Sequence, residues 1–200
     1  SDLANWKLLT ETLLEGYHIK SLHQTTFYPF GLDNVNLIET YGANARVIFP
    51  FRRIEKLRHK PSDERKANGM LTSVYHLFPN ACFFPGIQIP LIYRFRPTGL
   101  GTCIHEVLLL QPVPEGAPRP LPAEPIHLGM NDSYTQVPDF PLAKVVDQDT
   151  ENFYRQWAGM NASMKPGQTL ANYQEARIRN FHNTLDDYLG QVDAVPLVFK

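Results

Sequence analysis

With 200 residues, 43% of them hydrophobic and 20% charged, the chain has the length and apolar content of one ordinary globular domain. Nineteen Lys and Arg against twenty Asp and Glu leave a net charge of −1, which gives no whole-protein field for nucleic acid or an anionic membrane surface. Its two cysteines, Cys82 and Cys103, sit in no C-x-x-C or C-x-H pair; this excludes a thiolate-rich zinc or iron–sulfur site built from this sequence and points to a reducing, cytoplasmic setting.

No apolar run is long enough to span a bilayer and no basic-plus-apolar leader is present. The sequence opens almost directly on Asn5-Trp6-Lys7, which sets the expectation of a single catalytic unit, residues 1–200, cut from a longer protein. From Thr10 to about His18 the apolar residues Leu9, Leu13, Leu14 and Tyr17 recur at helical spacing, with Thr10 or Thr12 as cap and Gly16 near the end. In an unbroken helix residues five apart stand about 140° round the axis, so His18 and His23 can face one ion only if the helix bulges or stops soon after His18.

Beyond Phe27, short β-branched and aromatic runs alternate with Pro, Gly and Asn. NVNLIETYG and ARVIFPF predict two strands joined at Gly42-Ala43-Asn44, followed by the charged connector EKLRHKPSDERKANG with one helical turn at most. The basic cluster RRIEKLRHK at 52–60 reads as a solvated face or a docking surface. LTSVYHLF, CFFPGIQIPLIYRF and TCIHEVLLLQPV predict three or four further strands of an antiparallel meander. The proline-rich stretch 112–125 can continue neither a ladder nor a helix and is read as a loop. Two helices close the sequence, LAKVVDQDTENFYRQWAGMNASM and TLANYQEARIRNFHNTLDDYL, the second with a stripe of Ile178, Phe181, Leu185 and Leu189. Strands followed by helices make the class α+β.

The chemistry rests on Glu15, His18 and His23. Two imidazoles holding a divalent ion normally need a carboxylate or thiolate from elsewhere. Asp149, in VDQDTENFYRQW, is the best candidate, with Asp147 the alternative. Two histidines and one carboxylate form the facial triad of non-heme iron(II) oxygenases, which leaves coordination positions open for chemistry.

Asn5-Trp6-Lys7, Glu15-Gly16-Tyr17-His18 followed by His23, the acidic block Asp147–Phe153 and the closing RIRNFHNTLDDYL resemble the catalytic domain of the Rieske-type non-heme iron oxygenase α subunits, the ring-hydroxylating oxygenases. The resemblance covers essentially the whole sequence. It implies a helix-grip fold of the START or Bet v 1 kind, an antiparallel sheet wrapped around a long C-terminal helix. It implies Fe(II) on His18, His23 and Asp149, and Glu15 as the carboxylate facing an electron donor. The [2Fe–2S] Rieske cluster would lie in an N-terminal domain that this sequence lacks. Implied partners are a ferredoxin or reductase supplying NAD(P)H-derived electrons, dioxygen, a small apolar or aromatic substrate, and the other subunits of a homotrimer. Two departures stand out: Glu15 occupies a place where Asp is common, and Glu11 or Thr12 stands where many members carry Asn. Hydroxylation, dihydroxylation and dealkylation are all within the family's range.

The expected pocket residues are Phe84, Ile87, Ile89 and Tyr93 on the middle strands and Phe153 and Trp157 one and two turns past Asp149. The rival from another class is a helix-grip module that binds an apolar ligand without redox chemistry. Such a module needs the sheet and helix but not the two histidines.

Overall fold

The computed structural model describes residues 4–86 and 89–190. Six strands, β1 (Leu37–Tyr41), β2 (Asn44–Pro50), β3 (Leu71–Leu77), β4 (Ala81–Phe84), β5 (Leu91–Gly99) and β6 (Thr102–Leu109), form one antiparallel sheet in sequential order. Among the described residues four helices accompany it: α1 (Trp6–Thr12), α2 (His18–Leu22), α3 (Ala143–Ala162) and α4 (Ala176–Leu189). The meander and the α+β class are as the sequence predicts. None of the described helices is long and apolar enough to cross a membrane.

The hairpin between β1 and β2 closes with Tyr41 opposite Asn44, so only Gly42 and Ala43 turn the chain, and Gly42 takes a φ of +59° that a side chain would oppose. Side chains alternate across the sheet. Ala45, Val47 and Phe49 on β2, Thr72, Val74 and His76 on β3, Cys82 on β4, and Leu91, Tyr93 and Phe95 on β5 are buried. On the opposite face, Arg46 pairs with Glu39 and Arg94 with Glu106. The connector 52–66 is exposed except for half-buried Arg52 and Ile54 and buried Leu57, and it holds two short 3₁₀ turns.

The sheet's buried face meets α1 and α3 in one core and α4 in a smaller one. In the first, Leu8, Leu9 and Leu13 pack with Val47, Phe95, Val146 and Phe153; in the second, Leu14 packs with Ile178 and Phe181. α4 carries the expected stripe only in part, since Leu189 is exposed; the helix stops there on Gly190 at φ +67°. At 14 residues α4 is shorter than the 20-residue α3. The proline loop is irregular and exposed, as expected, and Cys82 and Cys103 are buried and form no disulfide.

The largest difference from the sequence expectation is at the start. The first helix begins at Trp6, not Thr10, and its cap is Asn5, whose side chain accepts from Lys7 N–H at 2.9 Å and donates to the Leu100 carbonyl at 2.7 Å. Thr10 and Thr12 are helical, and their hydroxyls donate back to the Trp6 and Leu8 carbonyls. The helix stops at Thr12, before His18 rather than after it. Gly16 then lets the chain run against the Phe49 ring, where a Cβ would lie 2.4 Å from a ring carbon.

Candidate metal centre

The break between α1 and α2 solves the spacing problem of the two histidines. His18 opens α2 and His23 caps its end, so a five-residue helix brings the two imidazoles to a ring separation of 5.3 Å. Asp149 comes from α3, where Ala143, Val146, Asp149 and Phe153 are the buried positions at three- and four-residue spacing. An acid on that apolar stripe is forced inward. Among the described residues, His18, His23 and Asp149 form a group whose ligand atoms all lie within 4.8 Å of one another.

Each ring is oriented from behind. His18 turns Nδ1 to the Glu15 carboxylate and points Nε2 toward Asp149 Oδ1 at 3.9 Å. His23 turns Nδ1 to Gln148 Oε1 at 3.0 Å and places Nε2 3.1 Å from Asp149 Oδ1. Thr26 donates its hydroxyl to the same Gln148 oxygen at 2.7 Å. With both Nδ1 atoms engaged by acceptors, both protons sit on Nδ1 and both Nε2 lone pairs face the carboxylate. This outer-layer arrangement fixes the tautomer of metal-bound histidines. Asp149 Oδ1 is buried, and although His23 Nε2 lies near it, the pair is not aligned as a hydrogen bond. A carboxylate oxygen left so, beside two lone pairs, is costly unless a cation joins them.

Asp147, the alternative, is engaged elsewhere. It accepts from the Ser133 hydroxyl and from Tyr134 N–H at 2.7 Å, holding the turn before α3. Glu15 lies on His18, accepting both its ring and its backbone N–H, with a side chain only 10% exposed. It makes no pair with Lys20. Burial alone would lower the His18 pKa, but the Glu15 hydrogen bond and the charges of Glu15 and Asp149 outweigh it and hold the group above its ordinary value of 6.5.

Beside the three ligand atoms lies a cavity of about 80 Å³ walled by Leu13, Ile19, Phe27, Phe49, Val74, Phe84, Leu91, Tyr93, Leu142 and Val145. Glu15, His18, His23 and Asp149 are its charged or titratable groups apart from the Tyr93 phenol. Of the expected pocket residues, Phe84 and Tyr93 are in this wall. Ile89 is half-buried ahead of β5 and is not in it, and Ile87 lies outside the described residues. Phe153 and Trp157 do not reach the cavity either. Phe153 packs against Phe95 and His105, and Trp157 covers Gly101. Sequence reasoning missed Gln148 and Thr26, and the apolar wall offered by Ile19, Phe27 and Leu142.

The sequence profile of the ring hydroxylating alpha subunit (catalytic domain) matches residues 3–191. The chain belongs to that family. Its members use a mononuclear iron and, in an N-terminal domain, a Rieske cluster, and His18, His23 and Asp149 are residues that could bind the iron. No curated protein sequence gives a significant match. Among solved structures, the quaternary ammonium Rieske monooxygenase CntA with an inhibitor aligns at a TM-score of 0.64 and 12% identity, over 94% of this chain and 47% of that one. A quaternary ammonium Rieske monooxygenase whose structure is described as giving insights into carnitine oxidation by gut microbiota and inter-subunit electron transfer aligns at 0.62, with 12% identity over 94% and 48%. CntA with L-carnitine aligns at 0.60, with 12% identity over 94% and 46%. These likenesses establish the fold, and the chain spans about half the length of each of them.

Proposed function

We propose that this chain is the catalytic half of a Rieske non-heme iron oxygenase, with Fe(II) held by His18 and His23 through Nε2 and by the Asp149 carboxylate. The observation that carries this is the convergence of two Nε2 atoms, each aimed by an acceptor on its Nδ1, on a buried carboxylate oxygen without a hydrogen bond. A helix-grip binding module has no use for such an arrangement. When bound, the iron supplies a site for dioxygen activation, with three protein ligands and open positions beside them.

The chain's own residues do the rest. Glu15 holds the His18 proton on Nδ1 and, with iron bound, would be the carboxylate linking His18 to a Rieske cluster carried by another domain or subunit. Gln148 does the corresponding holding for His23. Phe84, Tyr93, Phe27 and Leu142 hold an apolar substrate against the metal and exclude water. The wall offers no charge beyond the site itself, so an aromatic or otherwise apolar substrate fits it better than a permanently charged one. Substrate oxidation at this site is hydroxylation, dihydroxylation or dealkylation, with a ferredoxin or reductase upstream and a trimer as the assembly that joins cluster to iron.

Loading the purified chain with Fe(II) under anaerobic conditions tests this. One iron per chain is expected, with none retained in His18→Ala. The reading fails if the unsubstituted chain takes up no stoichiometric Fe(II), or if His18→Ala retains it. Iron and substrate should bind without sustained NAD(P)H-driven turnover, which should appear when a Rieske domain is supplied on the same polypeptide.

A further inference from the structure

Glu15 lies in the bend between α1 and α2, where no regular hydrogen-bonding pattern holds the backbone. The start of α4 grips that bend on both sides. Two residues before Glu15, the Leu13 carbonyl accepts from Arg177 Nη2 at 2.9 Å. Two residues after it, the Tyr17 hydroxyl donates to Glu175 Oε1 at 2.6 Å. One helical turn earlier, Glu11 Oε1 meets His182 Nε2 at 2.8 Å. All three contacts join residues more than 150 positions apart in sequence.

The two nearer anchors are themselves fixed. Glu175 uses its second oxygen for the Ala171 N–H, so its carboxylate cannot swing away from Tyr17 without losing both bonds. Arg177 is fully buried, and its Nε and Nη1 atoms find no partner. A guanidinium enclosed this way is costly; its hydrogen bond goes to a carbonyl at the end of α1 that the helix itself leaves open, and the Glu15 charge favours its charged form. A buried charge tied both to the Leu13 carbonyl and to the charge of Glu15 holds this bend in place.

We propose that Glu175 and Arg177 are positioning residues that set the Glu15 carboxylate on His18 Nδ1, and so fix which His18 nitrogen is offered to the metal. This deepens the iron-site reading and rests on it for its functional meaning, but the geometry it describes belongs to the metal-free chain. The clamp touches none of the three ligand side chains, and it meets the cavity wall only at the Leu13 carbonyl.

The test uses the metal-free chain first. Solvent exchange of the His18 Nδ1 proton is followed by NMR, the resonance being assigned by its loss in Glu15→Gln. Glu175→Ala and Tyr17→Phe should each speed that exchange at least tenfold and weaken anaerobic Fe(II) binding about tenfold, within the range seen when groups behind a metal ligand are removed. Glu175→Gln, which keeps an acceptor for Tyr17, should restore both. The double variant Tyr17→Phe/Glu175→Ala should be no worse than the worse single one, because the two residues form one link. Arg177→Lys should lie between Glu175→Ala and the unsubstituted chain.

Exchange within twofold of the unsubstituted chain, in variants whose melting temperature falls, would reduce the clamp to a structural brace and overturn the proposal. So would losses that add in the double variant. If Glu175→Ala does not fold, Tyr17→Phe, which leaves α4 untouched, decides alone. If the unsubstituted chain binds no Fe(II), the iron reading fails, while the exchange data still judge the clamp.

Discussion

His18 and His76 are both enclosed by the fold, yet their imidazoles are driven in opposite directions. His76, on the buried face of β3, donates Nε2 to the Pro79 carbonyl at 3.3 Å and leaves Nδ1 without a partner. Burial, reinforced by the Arg177 charge against a weaker opposing hydrogen bond to Pro79, pushes it down to about 4. His18 faces a similar desolvation, but Glu15 and Asp149 reverse its sign. His105 follows His76: it is packed among Phe95, Tyr134 and Phe153, its Nε2 has no partner, and burial takes it to about 4 although Asp149 is close enough to oppose the shift. Enclosure by itself makes a histidine a neutral piece of core; enclosure with carboxylates on both sides makes it a candidate ligand with its proton assigned.

The most severe way to break this contrast is to remove the carboxylate shared by the two ligands. Asp149→Asn should lower Fe(II) occupancy from one per chain to near none by metal analysis, whereas His105→Phe should leave occupancy at one. The same Asp149→Asn change should stabilise the metal-free chain above pH 8 by about 1–2 kcal/mol in denaturant unfolding, because it removes a buried charged oxygen that lacks a hydrogen bond. Loss of binding with gain of stability is the mark of a site kept for function.

How much of this was legible in the sequence varies by residue. His18 and His23 could be read as a candidate pair from their setting, and the sheet from its alternation, because both signals are local. The start at Trp6 and the stop at Thr12 could not. The start depends on Asn5 reaching the Leu100 carbonyl and the stop on Gly16 passing the Phe49 ring, contacts made only once the sheet has formed. Asp149 stood beside Asp147 as an equal kind of residue. What separates them is the phase of α3, visible as the buried spacing Ala143, Val146, Asp149 and Phe153. Gln148 is 125 positions from His23, so nothing in its neighbourhood announced the pairing. Phe153 and Trp157 were expected in the pocket from their proximity to Asp149 along the helix. One turn along the stripe is enough to carry Phe153 past the cavity and into the core around Phe95.

A second test acts on the core side of the contrast. A buried neutral histidine with a depressed pKa contributes its stability above the unfolded value of about 6.5 and loses it as pH falls through the folded value. For His76, the drop between pH 6.5 and about 4 corresponds to about 3 kcal/mol. Urea unfolding of the metal-free chain should therefore weaken across that window, and His76→Gln should remove about half of the slope, His105 with its like depression supplying the other half. His18 contributes with the opposite sign. Its raised pKa stabilises the metal-free chain below about 6.5, and that contribution disappears as pH rises through the folded value.

The ligand side responds to the same proton differently once metal is present. Fe(II) must displace the proton from His18 Nε2, so apparent affinity should fall about tenfold for each pH unit below the raised His18 pKa. In a titration the onset should come above pH 6.5, and Glu15→Gln should move it down. An onset unaffected by Glu15→Gln would mean that Glu15 does not control the His18 proton. Behind His23, Gln148→Ala should cost 10- to 100-fold in Fe(II) affinity, roughly 1.4–2.7 kcal/mol, since the ring then loses the acceptor that keeps its proton on Nδ1.

The smallest expected effect reaches the metal through two hydrogen bonds. The Thr26 side chain touches neither ligand nor cavity; its hydroxyl donates to Gln148 Oε1 at 2.7 Å, the same oxygen that receives the His23 proton at 3.0 Å. That second donor keeps the amide turned with its oxygen, rather than its NH₂, toward His23. Thr26→Val keeps the side chain's shape and removes only this bond, worth about 1 kcal/mol at most. Fe(II) affinity should fall by less than about fivefold, with melting temperature nearly unchanged. Combined with Gln148→Ala, the Thr26 change should add nothing, because its route to the metal has already been cut. An additive loss in the double variant would show that Thr26 acts on His23 through the backbone of the turn, where the His23 carbonyl also receives the Thr26, Phe27 and Tyr28 N–H groups.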